Sequence, residues 1–446
     1  MASNFFFIVV KSKMIMKDAK SGVVTEEIKS LSKIERISPR KILRRVASGR
    51  IVIARNLSRK NLDPANIVGI GYGLRTKVNA NIGTSMFVNN LEMEKRKLEV
   101  AIKYGTDTVM DLSTGGDIDS IRRELLSLCS VPFGTVPIYQ AYIEAVRKEG
   151  APVYMSEDKF LSSIEKHLKD GVDFMTIHAG IRLEHVMKMR KIKRVAGIVS
   201  RGGAILAAWM YYHKKENPLY KNFDYILEMF QEFDAVISLG DALRPGAIVD
   251  AHDYFQFAEM VTLGELVHRA REANVQTMVE GPGHVPLDRV VADIKLEKGV
   301  TRGAPYYVLG PIVTDISTPY DHISAAIGAA IAAAAGADFI CYLTPSEHLS
   351  LPNEEQVKLG VISARIAAHA GDLVKYGRKY MKKDLKIARA RAKLDWKGVI
   401  KLSIEPELSK KIHVQFGDFG DKGCTMCGPL CVYVILEKII RGEEIE

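Results

Sequence analysis

A chain of 446 residues with 47% apolar content is long enough to bury a barrel-sized core plus smaller attachments, which excludes disorder as the starting point. Its 63 Lys and Arg against 53 Asp and Glu leave a charge of +10, a balance that suits an enzyme of anionic phosphates. No aromatic-interleaved basic groove and no zinc-finger spacing accompanies that excess, so nucleic acid is not an expected partner.

In chain order, the opening MASNFFFIVVKSK carries a short apolar run without a long hydrophobic region or a small-residue cleavage site. It predicts a strand or a frayed terminus, and no export. SPRKILRRVASGRIVIARN predicts a helix started by Ser38-Pro39 and stopped by Gly49, then a short strand, inside a small mixed α/β domain over residues 1–105.

Beyond it, β-rich runs recur at DTVMDLS, FGTVPIY, FMTIHAG, AGIVS, AVISLG, TMVEGPG, YYVLGP and FICYLTP, with helix-like stretches between them. Eight strands alternating with helices predict a closed (β/α)8 TIM-type barrel over residues 106–371, an α/β fold. The strand ends carry glycines and polar residues, from Asp111–Asp117 through Thr344–His348. Turns and helix caps use such residues too, but one cap per helix does not call for a histidine, an arginine, a glutamate and paired glycines along one face. The alanine-rich AAIGAAIAAAAGADFI is broken by glycines and suits a helix packed on a sheet, not a membrane span.

From 372 to 446 the chain turns helical and basic, with KYGRKYMKKDLKIARARAKLDW and a last helix CVYVILEKII. Cys424, Cys427 and Cys431 put three thiolates into eight residues, which implies a reducing compartment and a metal. Three cysteines without a fourth suit a [4Fe-4S] cluster with one open iron, which can chelate S-adenosylmethionine for reductive cleavage. Structural zinc wants a fourth ligand, for which His413, eleven residues upstream, is the nearby candidate. Residues 372–446 therefore read as a helical, cluster-binding C-terminal domain.

The blocks GLRTKVNANIGTS, DTVMDLSTGGDI, GTVPIYQA, GVDFMTIHAG, GIVSRGG, DALRPG, QTMVEGPGHVPLD, YVLGPIVTD, YDHISAAIGAAIA and TPSEHLSLPN resemble, in order, those of the phosphomethylpyrimidine synthase family across roughly residues 65 to 375. The resemblance implies a homodimer that uses S-adenosylmethionine to rearrange 5-aminoimidazole ribonucleotide into the phosphorylated hydroxymethylpyrimidine of thiamine, with release of formate and carbon monoxide. It also implies a cytoplasmic enzyme served by an electron donor. The related 5-hydroxybenzimidazole synthases start from the same ribonucleotide, and a non-catalytic, ribonucleotide-binding redox sensor is the alternative of a different class.

Carried over by motif, the implied substrate contacts are Asn81, Met110, Tyr139, His178, Ser200, Arg201, Gly202, Asp241, Arg244, Glu280 and Tyr307. His284 and His348 match a pair that holds one mononuclear metal, zinc or iron, with His322 as a helix-start or outer-sphere residue. Two departures stand out: three residues separate Cys427 from Cys431 where the family has four, and Ala242 stands where DGLRPG is usual.

Overall fold

The computed structural model describes residues 13–63, 66–417 and 424–442, so the expectation for the first dozen residues lies outside them. The chain divides into two units, Met1–Lys375 and Tyr376–Glu446.

In the first unit, Pro39 opens the helix Pro39–Ala47, where its missing N–H costs nothing. Strands β1 (Ile51–Ala54) and β2 (Val68–Gly71) then pair antiparallel. Ile51 and Ile53 of β1 join Ile15, Ile28, Leu31, Ile42 and Val46 in a small core of their own, while Val52, Ala54, Val68 and Ile70 pack into the main core. This layer is tied to residues that precede barrel strands: the Ile15 amide donates to Asp234 at 3.1 Å and the Ile53 amide to Gln276 at 2.8 Å. It therefore covers the N-terminal end of the barrel and leaves the C-terminal mouth to chemistry.

The barrel consists of β3 (Lys77–Ile82), β4 (Thr108–Asp111), β5 (Phe133–Thr135), β6 (Phe174–Ile177), β7 (Val236–Leu239), β8 (Thr277–Gly281), β9 (Tyr306–Leu309) and β10 (Phe339–Cys341). All eight are parallel, and β10 closes on β3. The (β/α)8 expectation holds, with one strand exchanged. AGIVS is no strand: β6 pairs directly with β7, and the segment is a partly buried loop whose Ala196 amide donates to Asp250 at 2.8 Å, as does the Val195 amide just before it at 2.9 Å.

Its place in the count belongs to β3, ahead of residue 106. That strand escapes an apolar-run reading because alternate residues are polar: Asn79 donates to Tyr307 at 2.8 Å and accepts from Thr108 at 2.7 Å, across the barrel interior. Val78, Ala80 and Ile82 are the apolar alternates, buried in the main core. The alanine-rich stretch forms the helix Asp321–Ala335, and no described helix is long and apolar enough to cross a membrane.

The second unit is helical. Lys382–Ala392 carries the basic run, followed by Trp396–Leu402 and Pro406–His413. Val432–Arg441 follows the cysteines, with Cys431 at its N-cap position.

Candidate active site at the barrel mouth

Eight of the eleven expected substrate contacts line one cavity of about 490 Å³: Asn81, Met110, Tyr139, His178, Asp241, Arg244, Glu280 and Tyr307. Seven strands or the segments that follow them supply these side chains, Tyr139 from the start of the helix Pro137–Glu149, because alternate residues of a barrel strand point inward and the residues after it turn over the mouth.

Arg244 donates to Asp241 at 3.0 Å. The Glu280 carboxyl accepts from the Thr176 hydroxyl at 2.6 Å and the Ser238 hydroxyl at 2.8 Å. Burial disfavours the charged form of both acids and raises their pKa values, with the guanidinium of Arg244 opposing the shift in each. His178 has no hydrogen-bond partner at Nδ1; burial, reinforced by the charge of Arg244, pushes its pKa down to about 3. The imidazole is therefore held neutral at the cavity wall, with its Nδ1 turned toward Gly202.

The other three expected contacts act differently. The guanidinium of Arg201 lies 4.8 Å from the centre of the Tyr139 ring, and the residue lines a neighbouring cavity of about 980 Å³ that shares Asn81, Leu112 and Leu309 with the first. Ser200 caps the helix Arg201–His213 by accepting the Gly203 amide at 3.2 Å. Gly202 packs on the His178 imidazole, where any side chain would overlap the ring. Neither Ser200 nor Gly202 is among the residues lining the first cavity; together they orient what does.

His284 and His348 come together, with ring centroids 5.3 Å apart. The Nδ1 of His284 meets Asp315 at 2.7 Å and that of His348 meets Asp321 at 3.1 Å. A carboxylate at Nδ1 fixes the ring and leaves Nε2 to take a metal, so the donor set fits a mononuclear ion. His348 holds this position with a backbone φ of +62°, at a cost of about 1–3 kcal/mol. Burial alone would raise the Asp321 pKa, but hydrogen bonds from Ser317, His348 and Thr318 outweigh it and hold the carboxyl below its ordinary value. His322 is the second residue of the helix Asp321–Ala335; the carboxylate behind His348 is Asp321.

In the second unit, Cys424, Cys427 and Cys431 are all free thiols, exposed at Cys427 and buried at Cys431. The turn is local: the Gly428 amide donates to Cys424 and the Cys431 amide to Gly428, both at 3.1 Å, with Gly428 at φ +53°. Among the described residues no three His, Cys, Asp or Glu side chains form a ready metal cage. Three free thiols in one tight turn suit a ligand set that is completed on binding, since metal sites seldom exist fully formed beforehand. His413 stacks on Trp396 with ring centroids 4.6 Å apart.

Ala242 is fully buried and is absent from the residues lining the substrate cavity. It does not occupy the left-handed region, so a glycine is not needed there. The close approach is made from the other side, where Gly203 packs against the Ala242 backbone. Sequence reading missed Thr176, Ser238, Asp315 and Asp321, and also Cys341, whose Sγ lies 3.0 Å from the Asn81 amide. Three of these lie within the motif blocks quoted above, Thr176 two residues before His178, but pairing them with partners 27 to 104 residues away requires the fold.

The model of the Radical SAM ThiC family matches residues 14–438. The chain belongs to that family. It is 57% identical over 433 residues to a phosphomethylpyrimidine synthase of Ignicoccus hospitalis, spanning 97% of this chain and 98% of the relative. A phosphomethylpyrimidine synthase of Sulfolobus acidocaldarius is 54% identical over 94% of this chain and 96% of the relative. A solved dihydropteroate synthase of Coxiella burnetii aligns with 69% of this chain and 96% of its own at 11% identity and a TM-score of 0.37, too distant to carry an argument. Membership makes this chain a radical S-adenosylmethionine enzyme and implies an iron–sulfur cluster.

Proposed function

We propose that this enzyme is a phosphomethylpyrimidine synthase, which converts 5-aminoimidazole ribonucleotide into 4-amino-5-hydroxymethyl-2-methylpyrimidine phosphate. The observation that carries the reading is the convergence of eight motif residues, from seven strands or the segments that follow them, on a single cavity. Its chemistry matches that ligand. Arg244 and Arg201 offer guanidinium groups to phosphate, and the N-terminus of the helix Arg201–His213 adds amides and a favourable dipole. Asn81, Asp241 and Glu280 provide acceptors for amine and ribose hydroxyls, while Tyr139, Met110 and Tyr307 give the heterocycle an apolar wall.

A cluster held by Cys424, Cys427 and Cys431, as [4Fe-4S], supplies the radical chemistry with S-adenosylmethionine. His284 and His348 hold a separate mononuclear metal, zinc or iron. The protein's part is to orient the ribonucleotide, exclude water from a buried cavity, and keep His178 neutral so that it can exchange a hydrogen bond or proton with substrate. A reductant for the cluster, a second copy of the chain and a cytoplasmic setting complete the reading, all three drawn from the family resemblance.

The test is anaerobic incubation of the reconstituted enzyme with the ribonucleotide, S-adenosylmethionine and a strong reductant, with products identified by mass spectrometry. The pyrimidine phosphate is the expected product. Formation of 5-hydroxybenzimidazole in its place overturns the choice of reaction, and no turnover with full cluster occupancy overturns the enzymatic reading of this site.

A further inference from the structure

Behind the substrate cavity lies a second, smaller one, and the two share Asp241, Arg244, Glu280 and Gly281 as walls. Its far side carries Glu259, from the helix Tyr254–Glu272, a residue that belongs to none of the motif blocks. Glu259 is 2% exposed. One carboxyl oxygen, Oε2, accepts the Leu243 amide at 2.6 Å; the other, Oε1, has no hydrogen-bond partner. Leu243 sits inside the turn that carries Asp241 and Arg244, so this bond reaches the substrate residues through their own main chain. Gly180, two residues after His178, lies where any side chain would meet the Glu259 Cγ at 2.9 Å. Two strand ends of the mouth thus accommodate one carboxyl: the β7 turn bonds to it and the β6 turn makes room for it.

We propose that Glu259 is a positioning residue of the substrate site, holding the Asp241–Arg244 turn through the Leu243 amide and so setting where those two side chains meet the ligand. The inference rests on reading the larger cavity as the ribonucleotide site. Charge accounting then specifies the form in which Glu259 works. Among the described residues lining the two cavities, Arg244 is the one fixed cation, and it is already paired with Asp241. A further buried carboxylate without a counter-ion is costly, so Glu259 serves as the neutral acid, accepting through one oxygen. Burial, with the neighbouring charge of Asp241, outweighs the Leu243 and Ala242 amides and the charge of Arg194, and raises its pKa well above the ordinary value.

The acceptor is needed and the ionisable proton is not, which separates two substitutions. Glu259→Met keeps the volume and removes the acceptor; Glu259→Gln keeps an acceptor oxygen and cannot ionise. Steady-state kinetics of the reconstituted full chain on 5-aminoimidazole ribonucleotide, with thermal unfolding in parallel, decides. The Leu243 amide left unsatisfied in Glu259→Met is expected to raise KM by about tenfold or more with kcat changed less. Glu259→Gln is expected to restore KM to within about twofold of the native value, with an unchanged pH profile. A Gln variant as impaired as the Met variant, or a Met variant with native KM, overturns the proposal. If Glu259→Met does not fold, the Gln variant alone decides by the same criterion. A native chain that does not turn over the ribonucleotide overturns the functional reading and this inference with it, whereas native turnover with an impaired Gln variant overturns the inference alone.

Discussion

The barrel mouth and the cysteine turn bring reactive groups together in opposite ways. At the mouth, His178, Asp241, Glu280 and the His284–His348 pair are far apart in sequence and are assembled by strand order, burial and partners such as Thr176, Ser238, Asp315 and Asp321. At Cys424–Cys431 three thiols lie within one turn, joined by backbone hydrogen bonds of three or four residues' span, with Cys427 exposed. The mouth is built before any ligand arrives, because packing has already met the cost of holding its side chains. The turn places its ligands close together and leaves their final arrangement to what they bind.

That contrast is broken most directly at the cysteines. Replacing Cys424, Cys427 or Cys431 with Ala should abolish turnover and the visible absorbance of the cluster while leaving ribonucleotide affinity within about twofold of native by calorimetry, since the two sites share no residue. A large loss of ribonucleotide affinity in any of the three would show that the regions are not separable.

The next effect in size is electrostatic. Arg244→Met strands a buried Asp241 and should cost about 3–5 kcal/mol of stability together with roughly a hundredfold in ribonucleotide affinity. Adding Asp241→Asn should recover most of the stability and little of the affinity, measured by chemical unfolding and calorimetry. Full recovery of both would mean that Arg244 only neutralises Asp241.

The carboxylates behind the histidines give a smaller change. Asp315→Asn and Asp321→Asn should each weaken the mononuclear metal by about 10- to 100-fold in competitive chelator titrations, without altering cluster absorbance. Unchanged metal affinity in both would detach the His284–His348 pair from that role.

The smallest effect is a pH dependence. His178 has an ordinary pKa of 6.5 when unfolded and about 3 when folded, so as pH falls through 6.5 the unfolded chain binds a proton that the native chain refuses. Native stability is therefore lost progressively between these values, by about 2 kcal/mol at pH 5. His178→Asn should remove that contribution and lose a few degrees less in melting temperature between about pH 7 and 5 than the native chain. Equal acid sensitivity of the two would show that the imidazole is not held neutral by its surroundings.

The sequence by itself determined what repeats or stays local. The alternation of strands and helices is written in apolar periodicity, the cysteine turn in eight consecutive residues, and the helix at Pro39 in a residue that starts helices. Motif resemblance named eight side chains that share one cavity and both histidines that share one face. Where periodicity misread a strand, the reason was chemical: β3 turns Asn79 and Asn81 toward a polar interior, while AGIVS is apolar yet forms a partly buried loop outside the sheet, with Ile198 packed on the core and Val199 exposed. Tertiary structure alone decided the pairings: Glu280 with Thr176 and Ser238, each histidine with its aspartate, Gly202 against His178, and Glu259 under Leu243. A hydrogen bond between residues 16 to 104 apart leaves no periodic trace in a sequence, because it exists only once the barrel closes and brings successive strand ends onto one rim.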